Sequence, residues 1–149
     1  MARNSEALNT LHDLIAACRD GQSGYRDAAE HVTDSKLKQF FNEQSLQRAQ
    51  FAAELEQEAQ RLGEHDPDRG GSVAGALHRA WFDFKANLGG GDWTILDSVE
   101  RGEDQAKKAY EDAINSNLPD DLITIVRRQQ ASILAAHDRV RSLRDSRAA

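Results

Sequence analysis

Residues 35–63 read SKLKQFFNEQSLQRAQFAAELEQEAQRLG, and the spacing of their apolar side chains decides the fold. Leu37, Phe41, Gln44, Arg48, Phe51, Leu55, Glu58 and Leu62 recur at steps of three and four, which is one stripe on an α-helix. Asp34 offers a cap at the start and Gly63 a stop at the end, so the predicted helix covers 35–62. Arg48 lies midway along a stripe that should face a core. A charge there is costly unless it finds a partner, so Arg48 asks what stands opposite it.

The same periodicity extends outward in both directions. Leu8, Leu11, Ile15, Cys18, Gln22, Tyr25, Ala29 and Val32 mark a preceding helix over 5–32, with Asn4 or Ser5 available as its cap. Only Thr33–Ser35 joins the two helices, so they should be antiparallel neighbours. Residues 63–72 (GEHDPDRGGS) are rich in turn formers. Leu77, Trp81, Phe84 and Leu88 then predict a helix over 73–88, ended by Gly89–Gly91. Asp92 is expected to cap a further helix over 92–115 with Leu96, Val99, Glu103, Ala106, Tyr110 and Ala113 on its stripe. Pro119 suits the first position of a last helix over 119–145, burying Ile123, Val126, Gln130, Ile133, His137 and Val140. The expected architecture is all-α: an antiparallel four-helix bundle with a helical crossover between the second and third bundle helices. A crossover helix of about 16 residues spans roughly 24 Å, enough to return the chain most of the way along the bundle.

Composition narrows the class. The 149 residues fit one domain over 1–149, with 30% charged and 6% aromatic residues and only two prolines. A net charge of −6 argues against a nucleic-acid partner, which requires a basic footprint. No run approaches the roughly 20 apolar residues of a membrane span, so no membrane partner is expected. The single cysteine, Cys18, cannot form an intramolecular disulfide. Met1-Ala-Arg-Asn-Ser-Glu lacks the apolar stretch of a signal peptide. The expected compartment is the cytoplasm.

Five stretches carry a resemblance. They are Asp20-Gly-x-x-Gly-Tyr25-x-x-Ala-Ala-Glu30, Gln47-Arg-Ala-Gln-Phe51-Ala-x-Glu-Leu55, Gly75-Ala-Leu-His-Arg-x-Trp81, Glu100-Arg-Gly-Glu-Asp104 and Ala135-Ala-His-Asp-Arg-Val-Arg141. With them, residues 5–145 resemble an uncharacterised bacterial family of small ferritin-like four-helix-bundle proteins, a domain of unknown function. The resemblance implies a ferritin-like bundle distantly similar to rubrerythrins and ferritins, and a weak link to stress. Di-iron members of that superfamily hold metal with carboxylates and Glu-x-x-His pairs. Compared with rubrerythrin-like helices, Cys18 stands at the first-helix glutamate position. The second-helix pair falls on Arg48 and Phe51. Gly102-Glu103 is kept, Ala106 follows it, and the last pair reads Leu134-Ala-Ala-His137. At most Glu103 and His137 remain, too little for a pair of hard iron ions.

The heights of the residues along their helices suggest what replaced the metal. Arg48 lies 13 residues after Ser35, and Glu103 lies 11 after Asp92, so the two fall in one layer. The leading expectation is a buried Arg48–Glu103 ion pair, with Gln22, Gln44 and Gln130 completing its hydrogen bonds. Two other readings remain open. Arg48 can turn outward with its head in water, or a metal can be retained through Glu103 and His137, with Glu30 or Glu54. Cys18 reads as a core residue. His12, His31, His65 and His78 show no zinc spacing. Trp81 and Phe84 read as core, whereas Phe82, about 100° round the helix, is equally compatible with packing and with an interface.

These readings favour a non-enzymatic helical bundle that binds no cofactor and acts as a stress-associated structural or interaction protein. It is expected to form a homo-oligomer, with a dimer favoured. The alternatives are a metal-binding, iron-handling protein and a small-molecule binding module with its cavity at the polar layer.

Overall fold

The computed structural model describes residues 2–63, 81, 85 and 87–147. Among them the chain is all-α, with α1 (Ala2–His31), α2 (Ser35–Arg61), α3 (Asp92–Ile114) and α4 (Asp120–Asp145), and no strand. α1 begins at Ala2, so Asn4 and Ser5 lie inside the helix rather than capping it. Most of the predicted 73–88 helix, with Leu77, Phe82 and Phe84, lies outside the described residues, although Trp81 and Lys85 are helical.

Helix ends are fixed by polar groups at one end of the molecule. Asp34 caps α2, its Oδ1 accepting the N–H groups of Lys36 at 2.8 Å and Leu37 at 3.3 Å. Its Oδ2 takes Arg147, 2.9 Å away. The Lys36 N–H and then the Arg147 guanidinium hold the Asp34 carboxyl below its ordinary value. Asp92, expected as the cap of α3, is instead its first residue, and Gly91 at φ 91° takes the capping position. The Asp92 carboxylate is thereby free to accept the Thr33 N–H at 2.8 Å, the Thr33 hydroxyl at 2.9 Å and the Asp34 N–H at 3.1 Å. It ties the α1–α2 turn to the start of α3. Pro119 likewise sits just before α4, with Asp120 and Asp121 in the first turn, where the helix dipole favours them.

Backbones approach one another for the pairs α1–α2, α3–α4, α1–α3 and, most slightly, α2–α4. The four helices therefore stand at the corners of a square, with α2 diagonal to α3. Side-chain partners give the directions. Gln22 O accepts the Ser45 hydroxyl and Arg19 meets Glu56. Cys18 meets Tyr110, and Thr33 meets Asp92. Asp97 meets Arg144, and Tyr110 meets Gln129. Glu54 meets Gln129, and Asp34 meets Arg147. In every adjacent pair, residue numbers fall along one helix as they rise along the other.

The buried apolar side chains form two clusters. One gathers Leu11, Leu14, Cys18, Phe51, Leu55, Tyr110, Val126 and Ile133. The other gathers Tyr25, Val32, Leu37, Phe41, Trp81, Ile95, Val99 and Val140. Tyr25, Phe40, Phe41 and Trp81 form an aromatic group with ring centroids 5.7–6.4 Å apart, tilted or edge-on, the spacing such rings prefer.

Trp81 enters this group through a notch between α1 and α3. A Cβ on Gly24 would lie 2.2 Å from the indole Cε3, and one on Gly102 would lie 2.5 Å from Cε2. Glycine at 24 and 102 makes the space for a rigid ring that cannot yield. In an open helix, Gly→Ala is worth up to about 1 kcal/mol of added stability. Here overpacking, typically about 1–3 kcal/mol, opposes and outweighs that gain. Gly102→Ala is therefore expected to destabilise the protein in urea melts. In a Trp81→Ala background the same change should turn neutral or stabilising. An equal loss in both backgrounds would place the cause elsewhere than the indole.

Candidate functional site

The centre of the bundle is polar and almost wholly sealed. Arg48 and Glu103 are both 0% exposed, and they meet across the diagonal from α2 to α3. Nη1 donates to Oε1 at 2.6 Å and Nη2 to Oε2 at 2.5 Å, a two-pronged pairing of planar groups. Long side chains are needed here, because diagonal helices keep their backbones apart. Room for the guanidinium comes from Gly21, where a Cβ would stand 3.0 Å from Nη1. Above it lies the Tyr25 ring, with Cζ of Arg48 5.3 Å from the centroid, so the cation is also held by the ring face.

Electrostatics follow from this sealing. Burial alone would depress the Arg48 guanidinium, but the charge and hydrogen bonds of Glu103 carry it above its ordinary value. Burial, then the charge of Glu103, pushes the Tyr25 hydroxyl well up. Just below lies a second polar chain. Tyr110 donates to Gln129 Oε1 at 2.7 Å, and Cys18 Sγ lies 3.1 Å from the Tyr110 oxygen. The one Tyr110 proton points to Gln129, so the thiol is the donor to Tyr110. Gln129 Nε2 continues to Glu54 Oε1 at 2.8 Å and to the Phe51 carbonyl at 3.4 Å. Burial pushes the Cys18 thiol up to about 11, against the lowering effect of Tyr110. Such a thiol is held in its unreactive form.

The expected glutamines are placed differently. Gln22 accepts from Arg19 at the surface, 3.1 Å away, and does not reach the pair. Gln44 lines an outer hollow with Phe40 and Arg139, and its buried Oε1 makes no hydrogen bond, nor does Arg48 Nε one turn on. Gln130 is half-buried, while Gln129 points inward at 0% exposure. The stripe of α4 thus runs through Leu122, Val126, Gln129, Ile133, Ala136 and Val140, with His137 also buried. Periodicity alone does not single out Gln129. The signal that would have found it is the Tyr110 hydroxyl opposite, which needs a buried acceptor.

Glu103 and His137, the residues expected to remain if a metal were retained, do not face each other. Both Glu103 oxygens are taken by Arg48. The ring nitrogens of His137 face Asp104 Oδ1 at 2.7 Å and Asp138 Oδ1 at 3.1 Å. Glu30 is exposed, and Glu54 is engaged by Gln129 and Arg128. A di-iron centre does not fit these residues. Among the described residues the layer offers one carboxylate, already bound to a guanidinium, where two metal ions need several free carboxylates. Among the described residues no helix is long and apolar enough to cross a membrane. Phe82, considered as an interface residue, lies outside the described residues.

A family model described as a domain of unknown function (DUF2383) matches residues 6–116, and the chain belongs to that family. The match takes in most of α1, all of α2 and α3, and both Arg48 and Glu103. No curated protein matches the chain.

Removing one partner of the pair strands the other charge in the core. Arg48→Met and Glu103→Leu are each expected to cost on the order of 3–5 kcal/mol in urea melts. The double substitution should recover most of that loss, because neither charge is then desolvated. Near-additive costs would mean that the two charges do not stabilise one another. Alkaline pH gives a second check. Folded Cys18, Tyr25 and Tyr110 keep their protons where the unfolded chain has lost them. Stability is therefore full below about pH 8.5 and falls as pH rises toward 11, with Cys18 alone contributing on the order of 2–3 kcal/mol. A flat unfolding free energy between pH 8 and about 10.5 would contradict this.

Proposed function

We propose that this member of the family is a ferritin-like bundle in which an ion pair has taken the place of the di-iron centre. On this reading it works in the cytoplasm as a non-enzymatic structural or interaction protein, stress-associated and self-associating, with a dimer favoured. The helices pack antiparallel on this reading, with α2 and α3 running the same way, which calls for a crossover between the second and third bundle helices. One long crossover of this kind is the ferritin-like connectivity. The opposed residue numbering of each adjacent helix pair supports it.

The observation that carries the reading is the Arg48–Glu103 pair, 0% exposed and bonded at 2.5–2.6 Å in the layer where a metal centre would be built. A guanidinium there repels cations and uses up the one carboxylate. Among the described residues of the layer, the thiol of Cys18 and the hydroxyls of Tyr25 and Tyr110 are poor nucleophiles and bases, because burial pushes all three up. The stress link rests on the family resemblance alone, and the dimer on the position of Phe82 in the sequence, about 100° round from Trp81.

Anaerobic reconstitution of tag-free protein with ferrous iron, followed by air, tests the reading. It is expected to give no oxo-bridged di-iron absorption and no ferroxidase turnover. Uptake of about two irons per chain with turnover would overturn it. A single bound ion without turnover would not.

A further inference from the structure

The central layer leaves one group of side chains without a role. His137 is 2% exposed, yet it sits at an edge of α4 where carboxylates converge on it from two helices. Glu100 and Asp104 stand four residues apart on α3 and so share a face. Asp104 Oδ1 lies 2.7 Å from His137 Nε2, and Glu100 Oε1 lies 3.9 Å from it. Among the described residues these three form a group whose donor atoms all lie within 4.8 Å of one another. We propose that Glu100, Asp104 and His137 bind one divalent transition-metal ion of the zinc class, bridging α3 to α4.

The donor set fits such an ion. One imidazole nitrogen and two carboxylate oxygens are donor types that zinc takes, and in number they equal the three protein ligands of open zinc sites, leaving a fourth position for water. Zinc bonds of about 2.0–2.2 Å put neighbouring donors of a tetrahedron roughly 3.3–3.6 Å apart. The Asp104–His137 distance must open slightly and the Glu100–His137 distance close slightly. Asp104 can supply the movement, because its side chain is 55% exposed.

The surroundings prepare the ligands. Asp138 Oδ1, 3.1 Å from Nδ1, takes the proton on that nitrogen and leaves the Nε2 lone pair facing the two α3 carboxylates. A carboxylate behind a metal-binding imidazole is the usual second partner. Arg144 holds Glu100 through Oε2, so Oε1 remains turned toward His137. Arg144 is itself anchored by Asp97 through Nη1 and by Asp145 through Nη2. Counting Asp97, Glu100, Asp104, Asp138 and Asp145 against Arg101, Lys107, Arg141 and Arg144, negative charge is in excess by one. Without a metal, the same geometry is a buried imidazole sharing a proton with Asp104, and the experiment must separate the two.

Tag-free, full-length protein is titrated with zinc chloride alone, followed by calorimetry and by thermal melts. The expected result is saturation at one ion per chain with a rise in melting temperature. Asp104→Asn, at an exposed position that does not threaten folding, should weaken binding at least about tenfold. His137→Gln should abolish it. Asp112→Asn, an exposed carboxylate paired with Lys108 on the same helix, should leave it unchanged. Absence of saturable binding up to about 1 mM zinc would overturn the proposal. So would binding that Asp104→Asn leaves intact, which would assign the ion to other surface carboxylates. If His137→Gln does not fold, the Asp104→Asn comparison decides alone. The Arg48→Met, Glu103→Leu double variant should bind zinc as the native chain does, which separates this site from the central layer.

Discussion

The fold is organised around one constraint: a guanidinium and a carboxylate that must meet across the diagonal of a four-helix square. Adjacent helices can be held by small side chains, but diagonal ones can be joined only by long ones. Arg48 and Glu103 supply that length, and each satisfies the other at both prongs. Glycine at 21 follows from the width of the guanidinium, and Tyr25 follows from the need to cover its face without water. The pair also sets the rotation of α2 and α3, because a turn of either helix away from the centre leaves a bare charge in the core. Buried ionic groups rarely add net stability over apolar ones, so their value here is in fixing one arrangement.

The neighbouring polar chain shows the same economy. Tyr110 has one proton and gives it to Gln129, Cys18 gives its proton to Tyr110, and Gln129 hands on to Glu54 near the surface. Every member is satisfied in sequence, which removes most of the cost of burying these polar groups. The chain links α1, α3, α4 and α2 in turn. Together with the ion pair, it means that each of the four helices contributes to the polar centre.

Much of this was written in the sequence in a form that simple arithmetic can read. Steps of three and four place the helices to within a few residues, and the matching heights of Arg48 and Glu103 put them in one layer. The register of α4 was not readable, for a definite reason. Leu122, Ile123, Ile125 and Val126 offer two overlapping stripes one residue apart, and Gln129 and Gln130 are chemically identical. Only the Tyr110 hydroxyl distinguishes them, and that is a contact between helices rather than a period within one. The role of Asp92 is hidden for a related reason: it looks like a cap in its own helix, but its partners Thr33 and Asp34 lie about sixty residues away. His137 stands beside the central layer, hydrogen-bonded to Asp104 on α3, again a contact between helices rather than a period within one. The Glu100–Asp104 face was visible as a spacing of four.

The two apolar clusters on either side of the ionic layer have a consequence for how this chain tolerates change. Among the described residues, Leu14 and Leu55 belong to one cluster and Leu37 and Ile95 to the other. Effects of substitutions at sites without shared partners generally sum. The molecule behaves as two half-cores in series. Each can drift in sequence under its own packing rules, and neither needs compensation from the other. Positions that touch the dividing layer have no such freedom, since a change there is felt on both sides at once. Variation within the family should therefore partition into two independent blocks, joined by a narrow band of residues that change together or not at all.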